Sequence, residues 1–288
     1  MYDDDAMGVG SGLYGHDQAD CDFFFKELGF DFIKIDYCGG KKLKLNEEER
    51  YRAIRQAIEN TGRRDVRMNI CRWQFPGKWA AEVAESWRTT GDINANWWSV
   101  KKIIDENVPL ARYTKPGHYN DLDMLEVGRY RRADGEPLTQ GHHREYGLTP
   151  MEETTHFGMW CLFSSPLLIG CDARTIPAET VRLVTNPFLL AMNQNDLGDP
   201  VRCVLRKGEA YILVKDCDTL GGKARYLAVY NGDDRKDATL DVEFFALDLH
   251  GRVAMFDLVE RADIGEFTRA YRVTLKPHVA KFYRLDAE

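Results

Sequence analysis

The chain has 288 residues, 44% hydrophobic and 30% charged, a balance that suits one large folded domain or a medium one with a smaller companion. Its formal net charge of −7 argues against a nucleic-acid-binding surface and favours a neutral ligand over an anionic one. No apolar run approaches the roughly 18 residues that a membrane-spanning helix needs.

Residues 1–15 are acidic and glycine-rich, read as loop, and lack the apolar core of a signal peptide. The stretch DQADCDFFFKELGF then has apolar residues at helical spacing and is read as a short helix. A strand follows at 31–37, and NEEERYRAIRQAIENTG is an amphipathic helix with Asn46 as N-cap and Gly62 as its stop. DVRMNICRW is the next strand, with a helix around 78–87 and a short strand in TTGDIN after it. Residues 97–106 read as helix, GHYNDLDML as a strand end and loop, MEETTHFGMWCLFSS as helix and PLLIGCD as strand. PAETVRLVTNPFLLAMNQN closes this region as two helical segments. Such alternation implies parallel strands with helical crossovers. After about residue 200 the pattern changes to short strands separated by turn residues: EAYILVKDC, ARYLAVYNG, DATLDVEFFAL, RVAMFDLV, AYRVTLKP and VAKFYRLD. These imply an antiparallel β-sandwich, so the chain divides into a barrel-like part at 1–198 and a sandwich at 199–288.

The seven cysteines are odd in number and show no CxxC spacing, so they read as free thiols rather than a disulfide or metal framework. In FIKIDYCGG, Lys34 and Asp36 lie two apart on an otherwise apolar strand and so share a face. A buried ion pair is the plainer account, but it is costly to bury without a use. Polar groups cluster at the ends of the other strands too: Cys71, Arg72 and Trp73; Arg88 and Asp92; Asn120, Asp121 and Asp123; Cys171 and Asp172. Reactive groups at the C-terminal ends of successive parallel strands mark a (β/α)8 barrel site. In that setting Lys34 and Asp36 point inward near the barrel top, and Gly39 and Gly40 clear the mouth and let the chain turn. His156 lies four residues after Glu152, a ligand spacing, but without an HExxH motif it reads as a packed core histidine. His142 and His143 read as loop residues, and Trp97 and Trp98 as helix packing rather than a sugar platform.

Five motifs occur in order: DFIKIDYCGG, WRTTGDI, GHYNDLDMLEVG, THFGMWCLFSSPLLIGCD and LLAMNQNDLG. Together they resemble glycoside hydrolase family 27, the retaining α-galactosidases and their relatives. The resemblance implies a (β/α)8 TIM barrel, of which this chain carries strands 4–8, followed by an antiparallel C-terminal β-sandwich. It implies a carbohydrate substrate hydrolysed by double displacement, with no metal or organic cofactor and no nucleic-acid partner. Asp36 matches the nucleophile and Asp92 the general acid/base. Lys34, Arg88 and Asp123 match positions that hold sugar hydroxyls, and Cys38 and Met124 border the same pocket. Retaining hydrolysis uses two carboxylates, one that attacks and one that delivers a proton. Lys34 suits the first role for Asp36, and a partly buried Asp92 near Asp36 suits the second.

Two departures stand out. Arg72 occupies the position after Cys71 where the family carries an acidic or small residue that helps select the substituent at the sugar's C2. With Cys71 and Trp73 it is placed on the pocket wall, but it can only donate hydrogen bonds. This leaves α-N-acetylgalactosamine and β-L-arabinopyranose as alternative sugars. The strand FIKID resembles the family's fourth barrel strand and has only about 30 residues before it, so the chain is expected to be truncated at its N-terminus. Two further readings are a non-catalytic carbohydrate-binding remnant and a lyase forming a Schiff base on Lys34. The lyase leaves Asp92 unexplained.

Overall fold

The computed structural model describes residues 12–128, 139–140, 143–144, 147–217 and 223–287. His142 and the opening loop to residue 11 lie outside them, as does the side chain of His143. Two compact units emerge, Met1–Asp92 with Gly117–Asp121, and Ile93–Pro116 with Leu122–Glu288.

The first unit is a four-stranded parallel sheet in the order β1-β2-β3-β4, made of β1 (Phe32–Asp36), β2 (Arg67–Cys71), β3 (Ser86–Arg88) and β4 (Tyr119–Asp121). Helices α1 (Asp17–Cys21), α2 (Glu47–Asn60) and α3 (Ala80–Val83) belong to it. The helix expected over DQADCDFFFKELGF is α1 continued by a π-helical turn, Asp22–Glu27, and Gly29 takes a φ of +74° beyond it. Asn46 caps α2 by accepting from the Glu49 N–H at 3.1 Å, and Gly62, at φ +80°, ends it. Ile54 and Ile58 of α2 pack with Ile33 and Ile35 on one face of the sheet, which leaves Lys34 and Asp36 on the other. Tyr51 is fully buried in this core, and its hydroxyl donates to the carbonyls of Ile35 at 3.0 Å and Cys71 at 3.2 Å. Arg50 pairs with Asp17, tying α1 to α2.

Two boundaries differ from the sequence reading. The helix expected at 78–87 is only the single turn α3, and the strand expected in TTGDIN lies earlier, at Ser86–Arg88. All three β3 residues are buried, and the indole of Trp87 donates to Asn120 at 2.8 Å. Burial of Ser-Trp-Arg between two strands outweighs the turn-like propensity of the segment.

The second unit carries α4 (Trp97–Leu110), a two-stranded ribbon of β5 (Thr139–Gln140) and β6 (His143–Arg144), α5 (Pro150–Leu162), α6 (Ala178–Val184) and α7 (Pro187–Asn193). Asn96 caps α4 through the Ser99 N–H. Thr149 and Glu152 form a reciprocal capping box on α5, with Pro150 in the first turn. PLLIGCD forms no strand here; a single parallel bridge joins Ile169 to Leu125. Leu168 and Ile169 are half exposed, so the segment lacks the two-sided cover that a buried parallel strand requires.

From residue 202 onward all strands pair antiparallel. A six-stranded sheet runs β12-β11-β14-β9-β8-β7, and a two-stranded sheet pairs β10 with β13. In chain order these are β7 (Arg202–Lys207), β8 (Ala210–Cys217), β9 (Lys223–Asn231), β10 (Ala238–Glu243), β11 (Val253–Asp257), β12 (Ala262–Phe267), β13 (Ala270–Leu275) and β14 (Ala280–Ala287). Ile212, Val214, Leu227 and Val229 of the larger sheet share a core with Leu240, Val242 and Leu275 of the smaller. Strands β7 and β12, which the sequence did not show, are the two edges of the larger sheet. An edge strand pairs on one side only and needs no apolar alternation, so its sequence carries little signal.

Candidate active site

Each strand of the parallel sheet ends in a polar residue: Asp36, Cys71, Arg88 and Asp121. Asp36 stands in register with Cys71, and Arg88 with Asp121. The Cys71 side chain is buried, on the strand position next to Asp36. Burial, with the neighbouring Asp36 carboxylate second, pushes the thiol up to about 12, against the opposing charges of Arg88 and Lys34. The thiol is therefore protonated and sets no second anion beside Asp36.

One layer below, Lys34 is in register with Asn69, and Asn69 with Ser86. The Asn69 amide donates to Ser86 Oγ at 2.7 Å and to Asp121 Oδ2 at 2.9 Å. Lys34 Nζ lies 3.9 Å from that same Asp121 oxygen. The ammonium that the sequence set beside Asp36 therefore also faces a buried carboxylate from the far strand of the sheet. Sequence reasoning gave no role to Asn69, Ser86 or Tyr51. Their signal was a polar residue at alternate positions of a buried strand, and a tyrosine on the inner face of α2.

Arg88 is buried, and its Nη2 donates to the Gly91 carbonyl at 2.9 Å and to Asp92 Oδ1 at 3.2 Å. Asp92 itself is 70% exposed, not partly buried, because the chain leaves the sheet at Arg88 and Asp92 sits out on the following loop. The two carboxylates thus differ in setting: Asp36 is half-buried on the strand beside a buried thiol, while Asp92 stands in solvent and is steered by one guanidinium.

Arg72 binds Glu47 at the start of α2, Nε to Oε2 at 2.8 Å. Burial raises the Glu47 carboxyl above its usual range, with Arg72 opposing. Trp73 is half-buried and holds a left-handed φ of +62°, a strained conformation for an aromatic residue. Cys38 is half-buried in the loop after β1. The space expected around Gly40 belongs to Tyr37: a Cβ there would lie 2.1 Å from the tyrosine ring, whose hydroxyl donates to the Leu45 carbonyl at 2.8 Å. Gly40 is thus needed for this ring, not for an open mouth.

Asp123 and Met124 belong to the second unit. Asp123 is buried at φ +78°, and its carboxylate accepts from the N–H groups of Ile93 and Met124, both at 2.8 Å. Met124 is 40% exposed, the outward-facing residue of an otherwise buried run. His156 is fully buried and neutral, its ring held down at about 3 by burial. Trp97 is buried and stacks on His278 at 4.3 Å, whereas Trp98 is exposed beside Lys102. Among the described residues no group of three or more His, Cys, Asp or Glu could hold a metal ion. All seven cysteines are free thiols, four of them buried.

A family model described as alpha galactosidase A matches residues 2–195. The chain belongs to this α-galactosidase (melibiase) family. Alpha-galactosidase 2 of Arabidopsis thaliana is 32% identical over 277 residues, which cover 95% of this chain and 64% of that protein. Alpha-galactosidase 3 of the same plant is 33% identical, covering 97% of this chain and 60% of its own length. The chain thus spans under two thirds of these relatives. Among solved structures, α-galactosidase I of Mortierella vinacea superposes with a TM-score of 0.81 at 22% identity, over 100% of this chain and 77% of that one. A family-27 β-L-arabinopyranosidase of Geobacillus stearothermophilus gives 0.80 at 24%, over 96% and 62%. These likenesses fix the fold: part of a (β/α)8 barrel followed by an antiparallel β-sandwich.

Proposed function

We propose that this chain carries the catalytic carboxylates of a retaining exo-glycosidase that removes terminal α-galactosyl residues from oligosaccharides, polysaccharides or glycoconjugates. Residues 1–198 form the catalytic part in this reading, and 199–288 the sandwich domain. The observation that supports it most is the Asp36 carboxylate at the C-terminal end of β1, on the same strand face as Lys34 and in register with the buried Cys71. Asp36 attacks the anomeric carbon and forms a glycosyl–enzyme ester while Asp92 gives its proton to the departing oxygen. Asp92 then takes a proton from water, which attacks the same carbon and releases the sugar with its configuration retained. Arg88 aims Asp92, and Lys34, Arg88 and Asp123 take the sugar hydroxyls, as the family motifs assign. The exposure of Asp92 suits a group that trades protons with leaving group and water in turn.

A family relative acting on another sugar is the second reading, and Arg72 favours it. Its guanidinium is neutralised by Glu47 and offers donors only, where an acidic side chain could accept from a sugar hydroxyl. β-L-Arabinopyranosides and α-N-acetylgalactosaminides are the substrates to compare.

The test is a mechanism-based fluorinated galactosyl fluoride, with mass spectrometry of the labelled peptide. The label is expected on Asp36. A label on Asp92, or on a carboxylate outside FIKIDYCGG, overturns the assignment, and no labelling together with intact sugar binding supports the non-catalytic remnant.

A further inference from the structure

The segment from Leu122 to Gly128 has its backbone anchored almost residue by residue. The Leu122 N–H donates to Ser165 Oγ at 3.0 Å, and Leu125 exchanges backbone bonds with Leu168 and Gly170 at 2.7 and 2.9 Å. The other anchors come from one stripe of α5, at positions 153, 156 and 160, which a helix places on a single face. Glu153 Oε1 accepts from the Gly128 N–H at 2.6 Å, while its other oxygen accepts from the Thr180 hydroxyl at 2.9 Å. His156 Nε2 accepts from the Glu126 N–H at 3.0 Å. The indole N–H of Trp160 donates to the Asp123 carbonyl at 2.7 Å. The His156 and Trp160 rings meet edge to face at 4.0 Å, so each fixes the other's rotamer.

We infer that the Glu153–His156–Trp160 stripe of α5 is a positioning device that sets the Asp123 carboxylate and the Met124 side chain for contact with substrate. The role rests on the glycosidase reading, which assigns Asp123 to a sugar hydroxyl. His156 must accept through Nε2, so its proton resides on Nδ1. Burial keeps the ring neutral down to about pH 3, and the bond to Glu126 persists over any ordinary working pH. Gly170 completes the arrangement, because a Cβ there would lie 2.9 Å from Met124 Sδ and 3.1 Å from the Leu125 carbonyl. None of the three stripe residues touches a reacting atom; they act through the backbone of 123–128. Because Asp123 and Met124 hold the sugar before and during reaction alike, loosening them should raise KM more than it lowers kcat.

The experiment compares His156→Leu, which removes the acceptor, with His156→Gln, which restores one, and with the milder Trp160→Phe, which removes a single N–H. Two readouts are taken on the intact protein: KM and kcat for an aryl α-galactoside, and amide hydrogen exchange over residues 122–128. His156→Leu and Trp160→Phe should each speed exchange at this segment and raise KM, by about tenfold for His156→Leu, with kcat within about threefold. His156→Gln should recover most of both. Unchanged exchange in Trp160→Phe overturns the inference, as does faster exchange with unchanged KM, or equal losses in His156→Leu and His156→Gln. If His156→Leu does not fold, Trp160→Phe and His156→Gln decide alone. A wild-type protein that turns over no α-galactoside defeats the glycosidase reading, and exchange then reports separately on the anchoring.

Discussion

At the scale of single residues, the Asp36 carboxylate depends on a charge and a neighbour that must stay uncharged. The Cys71 thiol, pushed up to about 12, stays protonated next to Asp36 and contributes no competing anion. Asp36→Asn keeps the shape and removes the attacking charge, so turnover should fall by at least ~10³-fold, or ~4 kcal/mol of barrier. Asp92→Asn should be milder on substrates with activated leaving groups, because these need little protonation. Steady-state kinetics on aryl galactosides of differing leaving-group acidity would check both, and a uniform loss in Asp92→Asn would remove the acid role. Arg72 makes a different kind of contact. Arg72→Ala leaves Glu47 without its cation in a site already costly to ionise, and should lose about 1–3 kcal/mol of unfolding free energy at neutral pH. The sign of its pH dependence follows from the raised Glu47 carboxyl. Just above 4.5 the folded state binds more proton than the unfolded, so stability is fully present below 4.5 and declines as pH rises through the folded value. Removing Arg72 raises that value further, so the deficit of Arg72→Ala should shrink on acidification. Urea titrations from pH 4 to 7 that show a constant or growing deficit would refute this.

At the scale of elements, charges are buried where helices and strands need their ends satisfied. Lys215 on β8 is fully buried, donating to the Met192 carbonyl in the last turn of α7 at 3.1 Å and to Ser164 Oγ. It offers a cation to a helix C-terminus, which the macrodipole favours. Burial nonetheless lowers its ammonium from 10.5 to about 8. Between those values the unfolded chain holds a proton that the folded state releases, so stability should rise with pH across this window, by up to about 3 kcal/mol. Lys215→Met should abolish this increment. If the wild-type-minus-variant difference in unfolding free energy stays flat from pH 8 to 10.5, the lysine is not being desolvated at that cost.

At the scale of the molecule, the β1 edge of the parallel sheet matters most. Among the described residues β1 pairs only with β2, and Leu28, Phe30 and Phe32, on and just before it, are each about half exposed. An open strand edge beside exposed apolar side chains invites pairing with another chain. The 288-residue chain alone should therefore associate with rising concentration. Phe32→Lys, a charge on that edge, should reduce the association. Sedimentation that shows a monomer at all concentrations, or no change in Phe32→Lys, would count against this account.

Features that depend on short-range pattern were legible in the residues alone. The two-residue alternation put Lys34 and Asp36 on one face of β1, and Asn46 and Gly62 bounded α2. The change of pattern near residue 200 marked the switch from parallel to antiparallel pairing, and the ordered motifs pointed to the family. The absence of an HExxH motif marks His156 as a core histidine, and it is fully buried. Which partner each polar group meets was settled by the packing of the folded chain. Lys34 faces Asp121 from the far strand, Arg72 turns to Glu47, Tyr37 fills the space at Gly40, and His156 takes the Glu126 amide. Those choices follow from strand register and helix rotation, which arise from the summed burial of many distant side chains and leave no local mark. The edge strands β7 and β12 escaped for the related reason that half of their pairing groups face solvent, so no apolar period is imposed on them.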